Sequence, residues 1–279
     1  MQSWDLDRKI QVTTARIMEW YEHYNGLVYV AFSGGKDSTV LLDLVRRIYP
    51  DVPAVFCDTG LEFPEIRQFA MSVNNVVVLR PEMNFKKVIE TYGYPIVSKR
   101  VADTVEYGHK PGSFRWKELH GEIIRSNGTK SEFNCEKWCY LLDAPFKVSS
   151  RCCNIMKKKP MKKYSKETGR VPIIATMADE SRSRRSVWMS TGCNAFQKKS
   201  PSSQPMSFWT ENDVLEYIHT YNIPYASVYG DIVPCGGGGQ RQAKKEPGVC
   251  FALLALIWRS LQTVSSGSNS LTQSCGSIA

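Results

Sequence analysis

The stretch Leu27-Val28-Tyr29-Val30-Ala31-Phe32-Ser33-Gly34-Gly35-Lys36-Asp37-Ser38-Thr39-Val40-Leu41-Leu42 decides the fold. Its first six residues are apolar, β-branched or aromatic without alternation, the pattern of a strand buried on both faces. From Thr39 to Ile48 the apolar residues recur at helical spacing. Between the two lies Ser33–Ser38, where paired glycines permit positive φ and close backbone approach. Successive amide N–H groups that run into a helix N-terminus make an anion nest. Ser33 and Ser38 add hydroxyl donors, and Lys36 can neutralise phosphate charge. The spacing is not the GxxxxGK[ST] of kinases and GTPases. A tight strand-to-helix turn with polar caps is the competing reading.

The same rhythm continues on either side. Leu6, Ile10, Ile17, Met18 and Tyr21 predict a first helix that closes at Asn25-Gly26. Downstream, Ala54–Cys57 reads as strand, Pro64–Val73 as a helix opening with proline, Val76–Leu79 as strand and Phe85–Tyr92 as helix. Val101–Ser150 is irregular and mostly helical, Val171–Thr176 is one more strand, and Thr210 caps a helix through Val214, Leu215 and Ile218. Strands alternating with helices of this length predict an α/β fold, a mainly parallel twisted sheet covered by helices on both faces, with a helical insert. Five strands are expected, one of them without a sequence signal of its own. The predicted layout is a helix at 1–26, a nucleotide-binding domain at 27–234 and a tail at 235–279 read as disordered. Gly236–Gly239 and the Ser/Gly/Asn/Thr-rich end after Ser265 do not resemble the preceding chain.

With 279 residues, 42% hydrophobic and 23% charged, the chain is neither collagen-like nor wholly disordered. A net charge of +9 favours an anionic partner without choosing among nucleotide, phosphosulfate and nucleic acid. MQSWDLDRKI at the start carries two aspartates and no apolar core, so no signal peptide is expected. The apolar run Val249–Trp258 is too short to cross a bilayer, and no membrane partner is expected. Nine cysteines without a secretory signal predict a cytoplasmic protein whose clustered thiols bind metal or do redox chemistry.

SGGKDS at Ser33–Ser38 resembles the pyrophosphate-binding loop of the ATP pyrophosphatase superfamily. Asp58-Thr59-Gly60 with Phe63-Pro64-Glu65, Asp179-Glu180-Ser181 with Arg184, and Trp209, Asp213, Tyr217-Ile218 and Ile223-Pro224-Tyr225 narrow the resemblance to the phosphoadenosine phosphosulfate reductase family. The resemblance covers residues 25 to 232. It implies that Ser33, Gly34, Gly35, Lys36, Asp37, Ser38 and Asp58 hold an adenine nucleotide, with Arg182 and Arg184 at its sulfate or phosphate. It further implies sulfur-transfer chemistry, in which a thiol attacks the sulfate sulfur of adenylyl or phosphoadenylyl sulfate with a redox partner such as thioredoxin. The alternatives are an ATP- and Mg2+-dependent sulfurtransferase that modifies DNA or tRNA, and a nucleotide-binding remnant without catalysis. No catalytic residue is assigned. Simpler roles stand beside these: Asp58 as a turn cap, the Arg182–Arg185 run and Lys157–Lys163 as solvated charged faces, and Trp209 as core. His23, His109, His120 and His219 have no spacing that suggests catalysis.

Cys152-Cys153 resembles the paired-cysteine half of the iron–sulfur motif of assimilatory adenylyl-sulfate reductases and DNA-phosphorothioation sulfurtransferases. There a CxxC about a hundred residues later completes the four thiolates of a 4Fe-4S cluster. Here no CxxC follows, and Cys193, Cys235, Cys250 and Cys275 stand alone. An offset reading of the codons for Arg241–Phe251 does allow a TGCxxC, which makes the glycine tract Gly236–Gly239 the expected site of a frame change. On that reading the chain folds its nucleotide domain but lacks half of a cluster site. Cys135 and Cys139 would share a helix face, as core or as ligands. Cys275-Gly276 is a weak likeness to the C-terminal nucleophile of some reductases.

Overall fold

A computed structural model of the chain describes residues 1–235 and 239–242. In chain order the elements are α1 (Leu6–His23), β1 (Val28–Phe32), α2 (Lys36–Ile48), β2 (Ala54–Cys57), α3 (Pro64–Ser72), β3 (Val76–Leu79), α4 (Phe85–Tyr92), α5 (Lys99–Tyr107) and α6 (Phe114–Leu119). They continue with α7 (Lys159–Thr168), β4 (Val171–Ile174), α8 (Arg182–Thr191), β5 (Asn194–Ala195), β6 (Ser202–Ser203), α9 (Glu211–Tyr221), β7 (Ile232–Cys235) and β8 (Gly239–Gln242). The described residues form two compact units. One holds Met1–Asp58, Glu62–Arg80 and the described residues from Lys159 to 242, and the other holds Thr59–Leu61 and Pro81–Lys158.

In the first unit a six-stranded sheet runs β3-β2-β1-β4-β6-β5, parallel throughout except for β5 against β6. Val28, Tyr29, Val30 and Phe32 of β1 are all buried. Successive strand residues face opposite sides, so this sheet is covered on both faces, as the α/β reading predicts. The four strands read from the sequence are β1 to β4, in register from Val30 against Ala54 and from Val28 against Val171. The strand without a sequence signal corresponds to β6, with β5 as a further antiparallel edge. Each is two residues long, too short for periodicity to register. The proposed helix start at Thr39 moves to Lys36, because the Ser38 and Thr39 hydroxyls both donate to Gly35 O and so belong to the first turn. Asn25 and Gly26 both take positive φ where α1 ends.

The core joins α1 to α2 and α9 through Ile17, Trp20, Leu41, Leu44, Val214 and Ile218, each of which contributes about 1.5–3 kcal/mol by leaving water. Within that core Lys9 is 2% exposed, and its Nζ donates to Asp213 Oδ2 at 2.6 Å. The same oxygen accepts from Thr210 N and Thr210 Oγ1, while Thr210 Oγ1 accepts from Asp213 N to close a capping box on α9. Trp209 Nε1 donates to Thr13 Oγ1 at 2.8 Å. Trp209 is therefore core, and Asp213 is a structural anchor for α1.

The second unit packs α5, α6 and a 3-10 segment at Glu136–Asp143 around Val101, Ala102, Val105, Leu119 and Leu141. Glu118 is 2% exposed in that unit, and it accepts from Arg100 and Arg115. Gly93 takes φ +114, and a Cβ there would lie 2.4 Å from Lys147 O, so only glycine lets Tyr94 N reach that carbonyl at 2.8 Å. Among the described residues no helix is long and apolar enough to cross a membrane. Cys235 and Gly239–Gln242 pair as the β7–β8 hairpin. The rest of the tail reading, with Cys250, Cys275 and the offset codons, falls outside the described residues.

Lys9→Met strips the partner from a buried carboxylate, for which the typical cost is about 3–5 kcal/mol. Urea unfolding is expected to show a loss of that size, and pairing the change with Asp213→Leu should return part of it. A single-variant loss under about 1 kcal/mol would remove the anchoring role.

Candidate nucleotide site

The chain leaves β1, moves outward to β2 and β3, and returns through β4 on the other side of β1. That reversal makes the β1–β4 boundary the topological switch point, where open α/β sheets leave a crevice beyond the strand ends. Two of the sequence-predicted segments flank it: Ser33–Ser38 after β1, and Asp179–Arg184 after β4. Asp58 lies on the same edge one strand over, immediately after β2.

Ser33 Oγ lies 3.0 Å from Ser38 Oγ, and it accepts from Gly35 N at 3.3 Å. Ser33 N donates to Ser38 Oγ at 3.2 Å, so the two hydroxyls tie the ends of the loop together. Gly35 is the N-cap of α2 and has no side-chain oxygen to quench the positive end of the helix. At Gly34 φ is +74, and a Cβ would meet Ile66 Cγ2 at 2.8 Å and Ile66 O at 3.0 Å. The glycine is thus required by the approach of α3 as well as by the turn.

Lys36 is 2% exposed, with Nζ 3.7 Å from Asp37 Oδ1 and 3.4 Å from Glu211 Oε1. The Tyr229 ring lies 6.0 Å from the ammonium. Among the described residues the buried Asp37 Oδ1 has no hydrogen-bond partner, the Lys36 ammonium standing just beyond bonding distance at 3.7 Å. Burial raises the Asp37 pKa, Lys36 opposes that shift, Glu211 adds to it and Arg184 opposes it. Tyr229, whose hydroxyl would crowd any side chain at Gly35, is pushed up to about 12 by burial and then by the Asp37 charge. Glu211 and Tyr229 were not read from the sequence. They lie far along the chain from Lys36, and no spacing rule connects them.

Asp58 accepts from Arg67 Nε and Nη2 at 3.0 to 3.2 Å, and Arg80 Nε stands 4.0 Å away. Arg67, nine residues on, was also missed. Arg184 pairs with Glu180 and is close enough to act on Asp37, whereas Arg182 heads α8 with an exposed side chain. Arg185 donates to Gln2 Oε1. The structure brings together the Ser33 loop, Arg184 and the edge position of Asp58; among the described residues nothing joins Arg182 to them.

Cys152 and Cys153 belong to the second unit, just before a π-helical segment at Asn154–Lys158. Cys152 packs against the Phe85 and Val88 cluster, and burial raises its pKa. Among the described residues no group of three or more metal-ligating side chains converges. Two adjacent thiols are half of the donor set of a cubane, so the described residues do not by themselves fit one. Elsewhere in this unit a cavity of about 590 Å³ is lined by Tyr92, Val105, Leu141 and Phe146, with Glu106 bound by Ser149, Ser150 and Arg151.

Gly34→Ala is expected to lower stability by about 1–2 kcal/mol for the left-handed backbone alone, plus the overlap with Ile66. Shortening Ile66 relieves only the side-chain part, because the Ile66 carbonyl stays. Denaturation midpoints of Gly34→Ala with and without Ile66→Ala measure both parts. A raised Asp37 pKa means that the folded chain binds this proton more tightly than the unfolded chain, so stability falls as pH rises from about 3.9 through the folded value. Asp37→Asn is therefore expected to be more stable than the parent at pH 7, with the gap closing below about pH 4. A destabilised Asp37→Asn at pH 7 would show that the Lys36 pairing outweighs desolvation.

The family model described as "Phosphoadenosine phosphosulfate reductase domain" matches residues 27–105 and 125–234. Adenosine 5'-phosphosulfate reductase of Geobacillus kaustophilus is 26% identical over 212 residues, covering 75% of this chain and 70% of that protein. An uncharacterised protein of Methanocaldococcus jannaschii is 32% identical over 105 residues, and the match spans 36% of this chain and 25% of the relative's length. A phosphoadenylyl-sulfate reductase from Candida auris, solved as a phosphate complex, superposes with a TM-score of 0.46 at 14% identity over 84% of this chain and 95% of that one. With the model spanning both flanks of the switch-point crevice, the chain belongs to the phosphoadenosine phosphosulfate reductase domain family, in the superfamily that carries the pyrophosphate-binding loop.

Proposed function

We propose that the chain is a sulfur-transfer enzyme that binds an adenylylated substrate, adenylyl or phosphoadenylyl sulfate, across the Ser33–Ser38 loop. The observation that carries this reading is the Ser33 loop itself: a helix N-terminus without a side-chain cap at the switch point, with Arg184 opposite. Family membership and a relative named adenosine 5'-phosphosulfate reductase support it. The α2 N-terminus orients the anion, Arg184 leaves Glu180 to meet the sulfate or phosphate, and Lys36 balances the charge within its carboxylate cage. In the reductase form a thiol sulfur attacks the sulfate sulfur, the adenylate leaves with the electron pair, and a second thiol then releases sulfite and forms a disulfide. A dithiol protein such as thioredoxin would return the reducing equivalents. With ATP in place of the phosphosulfate, Asp37 Oδ1 is the carboxylate oxygen that suits the accompanying Mg2+.

A second reading, sulfur transfer to a nucleic acid, is favoured by the surface of the second unit. Phe114, Phe133 and Tyr140 are 61%, 54% and 54% exposed. Arg115 lies 6.0 Å from the Phe114 ring, Arg100 4.3 Å from Phe133 and Lys137 5.3 Å from Trp138. Exposed rings interleaved with cations suit the stacking of unpaired bases.

One calorimetric titration with adenylyl sulfate, phosphoadenylyl sulfate and ATP tests the assignment. Lys36→Ala is expected to weaken the preferred nucleotide at least tenfold, about 1.4 kcal/mol. Unchanged affinity, or no binding of any of the three, would overturn it. For the second reading, binding of a single-stranded oligonucleotide should weaken steeply with salt and with Phe133→Ala.

A further inference from the structure

The geometry points to Cys139 and His120 as an activated thiol–imidazole pair, with Cys139 the residue that low-molecular-weight disulfides modify by thiol–disulfide exchange. His120 follows α6, and its Nδ1 is 2.8 Å from Trp116 O. A carbonyl oxygen can only accept, so Nδ1 carries the hydrogen and the neutral ring presents a lone pair at Nε2. That Nε2 lies 3.8 Å from Cys139 Sγ, on the 3-10 segment Glu136–Asp143. Trp116 stacks on the imidazole at 3.8 Å and 19°, which fixes the direction in which Nε2 points. Proton transfer from Sγ to Nε2 would leave a thiolate beside an imidazolium whose other N–H is already satisfied.

Most charges on the elements that pack against this segment pair with one another, while Lys99 of α5 is exposed and Tyr107 ends that helix. From α5 and α6, Arg100 and Arg115 meet Glu118, Arg115 meets Asp103, and Glu106 meets Arg151; Lys117 is on the exposed side of α6. On the segment itself Glu136 pairs with Lys130, Lys137 lies over Trp138, and Tyr140 and Asp143 are the remaining titratable groups. The other cysteines differ in setting: burial raises the pKa of Cys135, Cys152 and Cys193, whereas Cys139 is half-buried.

In the reaction the Cys139 thiolate attacks one sulfur of a disulfide R–S–S–R. An Sγ–S bond forms, the S–S bond breaks, and R–S⁻ departs with the electron pair and takes the His120 proton. The disulfide is the oxidant, so the step balances without another reagent.

The test uses the full chain, reduced and freed of reductant, with glutathione disulfide as probe. Peptide mapping by mass spectrometry follows each cysteine over time from pH 6 to 10. The Cys139 peptide is expected to be modified at least about tenfold faster than the Cys135 and Cys152 peptides at pH 7, with a rate that changes little between pH 6.5 and 8.5. An ordinary thiol of pKa about 8.5 loses on the order of fiftyfold in thiolate over that range. His120→Gln should slow Cys139 about tenfold at pH 7 and leave it unchanged at pH 10. A wild-type profile following an ordinary thiol overturns the proposal without any variant, as does Cys139 reacting no faster than Cys135 and Cys152. An unaltered profile in folded His120→Gln would also overturn it.

Discussion

Gly34 is where the fold and the candidate site become one problem. The chain must leave β1 with a positive φ while Ile66 and Ala70 of α3 press against the same atom. Only a residue without a Cβ lets α3 close over the sheet and lets α2 start at once. From that start follow the burial of Lys36 and the exposure of the α2 amide end to the crevice between β1 and β4. A bulkier loop would have to move α3, and Phe69 with it, away from Phe32, and so lift the cover over that face of the sheet.

Cation burial is the second organising principle. Lys36 is balanced by Asp37 and Glu211, Lys9 by Asp213, and Asp58 is bound by Arg67. Lys9–Asp213, Lys36–Glu211 and Asp58–Arg67 each join different elements of the first unit, so these charged groups act as cross-links as well as ligand candidates. This also explains why a motif residue such as Asp213 has no direct part at the crevice. Its carboxylate is already saturated by Lys9 and Thr210.

Much of this was legible in the chain. The run from Leu27 to Phe32, the double glycine and the repeated strand–helix spacing predict the parallel sheet, and Ala54–Cys57, Val76–Leu79 and Phe85–Tyr92 have the bounds that periodicity suggests. What could not be read was anything without a local pattern. Two-residue β5 and β6 carry no alternation, and Glu211 and Tyr229 reach Lys36 only through the folded sheet. His120 looked inert because its partner, Cys139, lies nineteen residues away across an irregular segment. The helical insert similarly showed its composition but not its exposed rings.

The strained ionisation of Asp37 makes the crevice a proton counter. A polyanion arriving over the α2 N-terminus would push the Asp37 pKa further up, whereas a divalent cation at Oδ1 would push it down, so the two ligands shift proton binding in opposite directions. The apparent binding heat would therefore depend on the ionisation enthalpy of the buffer, and the sign of that dependence separates a bare phosphosulfate from a metal-bound nucleotide.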